Sequence, residues 1–294
     1  MKTTKNVLLL SALALSMLFA CNKNEETVSS NLDQPQGLIA SCSYVDGNWS
    51  STAVLSSTIG TTTAETTFMN SQNSKISAVW GQPLTPLKFV KDPSNPGSTY
   101  NAISYGGSPR KIYYGEAIYK DAKSKNSNGI VNAMILAHEF GHQLQYTYGL
   151  PTNPESTARP NELEADGFAG YYLRKPAGFN AASFTAIATA SDFAFAIGDY
   201  GTTSAGHHGT PPQRRSAVRL GFLLANPNNG NLTPSVFDSN FVYYYSGVLS
   251  GSYKRARPEN ISDEMDQYIG SHMAELRKIN SGQMSNDEYK QLAD

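Results

Sequence analysis

Apolar residues recur at helical spacing through the middle of the chain. Ile130, Val131, Met134, Ile135, Ala137 and Leu144 predict one helix from Ser127 to Tyr148. Ser127 or Asn128 can cap its start, and Gly149 followed by Pro151 ends it. The turn ahead of His138 is almost wholly apolar, so the helix is buried there. A second helix is predicted through residues 161–170, with Pro160 in its first turn and Thr157 or Arg159 just outside it. Upstream, residues 101–105 and 111–114 are rich in strand formers and are separated by Gly106-Gly107-Ser108-Pro109, a hairpin pattern. Ala53-Val54-Leu55 and Leu84 to Val90 read as further strands, and Phe68 to Trp80 as a helix. Downstream, Ala181 to Ile197 is alanine-rich and reads as a buried helix, and Pro211 to Ala225 as another, with Thr210 as its cap. Residues 226–236 form a Pro/Asn/Gly loop, and Phe241 to Tyr245 fits strand or helix. Asp263 to Ile279 is amphipathic and carries His272 on the surface; the tail past Ser281 is polar. The pattern predicts an α+β fold, with a small sheet beside the 127–148 helix and a mostly helical C-terminal half.

The chemistry sits on the central helix. His138-Glu139-Phe140-Gly141-His142 places two imidazoles four residues apart, on one helical face. Two neutral histidines can hold a zinc ion, and a carboxylate beside the first can take a proton from the water that the ion activates. The alternative is a pair of core histidines satisfied by other partners. Gly141 weakens the helix by up to ~1 kcal/mol against alanine, which points to close approach of another backbone. A catalytic zinc needs a third protein ligand. Glu162 and Asp166, four apart on the second helix, share a face. Glu162 can ligate, and Asp166 can accept the outer N–H of a ligand histidine. Glu164 points away from that face, toward solvent.

With these residues in hand the chain resembles the gluzincin metallopeptidases, which pair HExxH on one helix with ExxxD on the next. His142 and Glu162 are 20 residues apart, a short crossover of the thermolysin-like kind. Glu-Leu-Glu-Ala-Asp-Gly-Phe-Ala-Gly-Tyr and the later His-Gly-Thr-Pro-Pro-Gln-Arg are similar to two segments of the bacterial neutral zinc metallopeptidases. The resemblance runs from about Leu87 to Phe222. It departs at Gly167, where that family has cysteine, and in the shorter gap between the two metal helices. It implies a zincin-like fold, one zinc ion and hydrolysis of peptide bonds in a peptide or protein substrate. By position it makes His208 the counterpart of that family's histidine, a candidate oxyanion donor. His208 could equally be a loop histidine that packs against the metal helices. In zincins an edge strand receives an extended peptide, and 102–105 or 111–114 could serve. An ordinary core hairpin is the other reading. Tyr113, Tyr114 and Tyr171 are further candidates for an oxyanion donor, and Arg214 and Arg215 could pair with Glu164 or Asp166.

The N-terminus changes the compartment. Lys2 and Lys5 precede a short apolar run from Val7 to Ala20, and Cys21 follows at once. This reads as a lipoprotein signal over residues 1–20, cleaved before a lipid-bearing Cys21; a non-lipidated secretory signal is the alternative. Residues 21–36 form a polar tether, and 37–294 a single domain. Asn22-Lys23-Asn24-Glu25-Glu26 resembles a surface-export signal or is plain linker. The expected location is the bacterial cell envelope, anchored to membrane by lipid. Loss of residues 1–20 leaves 21 Lys and Arg against 24 Asp and Glu, a net charge near −3 with no nucleic-acid footprint. With Cys21 lipidated, Cys42 stands alone, which excludes an internal disulfide and a cysteine metal site. A scaffold lipoprotein with structural zinc and a hydrolase of non-peptide bonds are the competing functions.

Overall fold

The computed structural model describes residues 48–293 except 153–154, 197, 199 and 203. The signal, Cys21, the tether and Ile197 lie outside the described residues. The chain folds as β1 (Val54–Ser56), α1 (Thr63–Val79), β2 (Leu87–Lys91), β3 (Ala102–Tyr105), β4 (Lys111–Gly115) and α2 (Glu116–Lys125), followed by α3 (Ile130–Tyr148) and α4 (Arg159–Arg174). The rest is α5 (Phe184–Ala196), α6 (Pro211–Leu224), α7 (Pro234–Ser250), α8 (Asp263–Asn280) and α9 (Asn286–Lys290). This is the expected α+β arrangement, with a small sheet early and helices after it.

The sheet has the order β1-β2-β4-β3. β1 and β3 are antiparallel to their neighbours, while β2 runs parallel to β4 with Leu87 opposite Ile112. The 101–105/111–114 hairpin therefore forms, and β3 is an edge while β4 is interior. Gln143 of α3 fastens the hairpin to the helix: its Nε2 donates to the Tyr105 carbonyl at 3.0 Å and the Lys111 carbonyl at 3.2 Å.

α3 is buried from Ile130 through Gln145. Its apolar residues join one core cluster that extends from Ile59 to Tyr289 and includes Phe140, Phe168, Phe222 and Phe237. Trp80 stacks on Tyr171 with centroids 4.8 Å apart and meets Phe168 edge-on at 5.0 Å. A second, smaller cluster of Trp49, Ala53, Val90 and Tyr113, with Leu55, Ile103 and Tyr105 packed against it, covers the other face of the sheet. The two central helices touch at Gly141, where a Cβ would lie 3.1 Å from the Ala165 Cα. Close backbone approach is thus the reason for this glycine. A side chain at Gly167 would run into the Phe241 ring, and one at Gly221 into the Gly167 carbonyl. Residue 167 is glycine because α4 is gripped by α6 and α7 there.

Several boundaries differ from expectation. α3 starts at Ile130, later than Ser127, because Gly129 takes a left-handed conformation with φ of 82°; the Asn128 Oδ1 still accepts the Ile130 N–H. α1 starts earlier than Phe68, drawn back by a capping box between Thr62 and Glu65. Arg159 lies inside α4, not ahead of it. Phe241 to Tyr245 is helical: α7 begins at Pro234 with Thr233 as cap, absorbing the end of the expected loop. The aromatic run favours a strand by propensity, but five rings in a helix can bury against several neighbours. α8 matches expectation, yet His272 is half-buried, facing Glu275 at 3.5 Å. The polar tail past Ser281 folds as α9, and its Tyr289 is fully buried. Among the described residues no helix is long and apolar enough to cross a membrane.

Candidate metal centre

α3 and α4 pack side by side and turn His138, His142 and Glu162 toward one point. The three side chains are buried, and among the described residues they form the group of His, Cys, Asp and Glu able to hold a metal ion. The His138 and His142 Nε2 atoms are 3.2 Å apart. The Glu162 Oε2 lies 3.4 Å from His138 Nε2, and its Oε1 3.5 Å from His142 Nε2. Gly141 makes this possible, since a side chain there would push α4, and Glu162 with it, away from α3.

Glu139 is buried next to His138, and its Oε2 has no hydrogen-bond partner among the described residues. An orphaned buried carboxylate oxygen is costly and calls for a water or ligand opposite it. Burial pushes this carboxyl up to about 8, and Glu162 adds to the rise, against the pull of His138, Arg214 and the Ser104 backbone N–H. Ser104 belongs to β3, so the edge strand lies beside the candidate base.

Asp166 lies behind His138. Its Oδ1 is 3.0 Å from the His138 Nδ1. Arg214 of α6 clasps it with two hydrogen bonds, from Nε to Oδ2 at 2.7 Å and from Nη2 to Oδ1 at 2.8 Å. Burial would raise the Asp166 carboxyl, but Arg214 and His138 hold it below its usual range. Burial lowers His138, yet Asp166 and Glu162 outweigh it, so the metal-free imidazole stays charged above its usual range. Burial lowers His142, and the opposing pull of Glu162 does not outweigh it. Burial would likewise raise Glu162, but His142, His138 and Arg214 hold it well below the carboxylate range. Asp166 and Glu162 are thus set against His138 and Arg214 in one buried network of opposite charges.

Three expectations are revised. Glu164 is fully buried, not solvated. α4 is covered by α3, α6 and α7 together, which leaves no solvent face at that level. Burial and the neighbouring Asp238 push the Glu164 carboxyl well above its usual range. Arg215 does not join this network; it pairs with Asp192 at 2.5 Å. The tyrosine candidates are engaged elsewhere: Tyr114 donates to Asn132, Tyr171 accepts the Leu232 N–H, and Tyr113 packs in the smaller core cluster.

His208 is half-buried in the segment leading into α6 and is not one of the three grouped side chains. Beside it, Gly209 has φ of +94° and sits against Leu163 of α4. Arg214 and Gln145 carry more of the site than the sequence reading assigned. Arg214 could have been found from its place one turn after the Thr210 cap. Gln145 could have been found from its i+3 spacing to His142. Compared with family models, with curated proteins and with solved structures, the chain finds no match.

Proposed function

We propose that this chain is a zinc-dependent peptidase of the gluzincin type, with a zincin-like fold and a lipid anchor on Cys21 that holds it in the bacterial cell envelope. The observation that carries the reading is the spacing of the three donors beside the unpartnered Glu139 oxygen. The two Nε2 atoms are 3.2 Å apart, and each lies within 3.5 Å of a different oxygen of the Glu162 carboxylate, close enough for one ion to be shared by all three side chains. Two imidazole nitrogens and one carboxylate are also a donor set of catalytic zinc, which leaves a position open.

Zinc held there would lower the pKa of a water toward ~7 and polarise the substrate carbonyl. Glu139 would be the group that takes a proton from such a water as its oxygen added to the carbonyl carbon. It would then return the proton to the amide nitrogen as the C–N bond broke. Asp166, held anionic by Arg214, would keep the His138 Nδ1–H in place and so leave Nε2 free to ligate. β3, an edge strand whose Ser104 N–H meets Glu139, is where an extended peptide would add. His208 is the candidate donor to the oxyanion.

Metal analysis of the lipid-free form, starting at Asn22, tests the site. One zinc per chain is expected in the parent and a marked loss in Glu162→Ala. Unchanged zinc in that variant removes Glu162 as the third ligand.

A further inference from the structure

We propose that Gln145 is the positioning residue for His142: it fixes the imidazole proton on Nδ1 and ties that histidine to the turn of α4 that carries Glu162. The inference rests on the metal-centre reading for its consequence, but its geometry stands without a metal.

Gln145 is buried on α3, nearly one turn beyond His142. Its Oε1 lies 2.8 Å from the His142 Nδ1. Its Nε2 donates to the Asn161 carbonyl at 2.8 Å and to Glu164 Oε2 at 2.9 Å. A side-chain amide can in principle be turned end for end, and a histidine has two neutral tautomers. Here the surroundings remove both freedoms. A backbone carbonyl only accepts, so the Gln145 NH2 group must face Asn161. Turning the amide would set oxygen against oxygen at that contact and nitrogen against the imidazole. With Oε1 fixed toward His142, only a protonated Nδ1 completes the bond. The lone pair then lies on Nε2, the atom that faces His138 and Glu162.

The second consequence is mechanical. Asn161 immediately precedes Glu162, so one side chain links the second histidine to the backbone beside the third ligand. The two histidines are also held differently. His138 rests on an Asp166–Arg214 ion pair and His142 on a neutral amide, so removal of Gln145 leaves the His138 support intact. A purely structural role at the α3–α4 contact would alter stability without moving the His142 proton.

Nitrogen-15 NMR of the imidazoles in the metal-free parent reads the proton directly. The expected result is His142 protonated on Nδ1. In Gln145→Met the expected result is a mixture of tautomers, together with zinc affinity lower by about 10–100-fold in competition with a chelator. A His142 proton on Nε2 in the parent overturns the proposal, even if the variant fails to fold. A folded Gln145→Met that keeps the Nδ1 proton and binds zinc within two-fold of the parent overturns it as well. A parent that takes up no zinc counts against the metal centre alone, since the tautomer still decides the role of Gln145.

Discussion

Arg214 meets Asp166 through two parallel hydrogen bonds at 2.7 and 2.8 Å, both side chains almost wholly buried. The pair stands directly behind His138, so the orientation of one imidazole depends on a residue of a third helix. Removing one member of a buried ion pair leaves an uncompensated charge. Arg214→Met is expected to destabilise the metal-free protein by about 3–5 kcal/mol. Urea unfolding measures this. A loss under about 1 kcal/mol would mean the pair is solvated in solution.

His138 sets a pH signature. Its folded pKa is raised above the usual histidine value by Asp166 and Glu162, despite burial. The stability from this contact is complete below the unfolded pKa of ~6.5 and is lost as pH rises through the folded value. At neutral pH the metal-free His138 therefore holds protons on both nitrogens, and a cation at Nε2 must expel one. Zinc binding is expected to release at least one proton near pH 7 and to weaken as pH falls. Calorimetry in two buffers of different ionisation enthalpy tests this; heats independent of buffer would contradict it.

The α4–α6 crossing depends on two backbones in contact. A Cβ at Gly221 would overlap the Gly167 carbonyl, and neither helix can retreat from the Phe241 and Phe222 packing around it. Gly221→Ala is expected to cost about 1–3 kcal/mol or more by overpacking, although alanine favours a helix. A gain in midpoint on urea unfolding would show that the helices separate at no cost.

Much of this was legible in the residues. Helical spacing located α3, the α4 segment and α6, and the i, i+4 rule put His138 with His142 and Glu162 with Asp166. The hairpin followed from strand formers around Gly106-Gly107. Glu164 was misjudged because helical spacing tells which residues share a face but not how many faces are covered. α4 is enclosed by three helices, and a glutamate can stay buried there only beside Gln145 and Asp238. Tyr289 was missed for a related reason. A short polar helix shows no periodicity, and its one aromatic ring finds Phe184 only once α5 is in place. Arg215 and Arg214 are adjacent in sequence but roughly 100° apart around α6, so one meets Asp166 and the other Asp192.

The central claim is that Glu139 acts on a peptide bond at this centre. The most direct test is cleavage of a mixed peptide library by the zinc-loaded form from Asn22 onward, beside its Glu139→Gln variant, with zinc content measured in both. One zinc in each and cleavage by the parent alone is the predicted result, with a loss of at least ~100-fold in the variant. Zinc in both without cleavage by either, or equal cleavage by both, would contradict it.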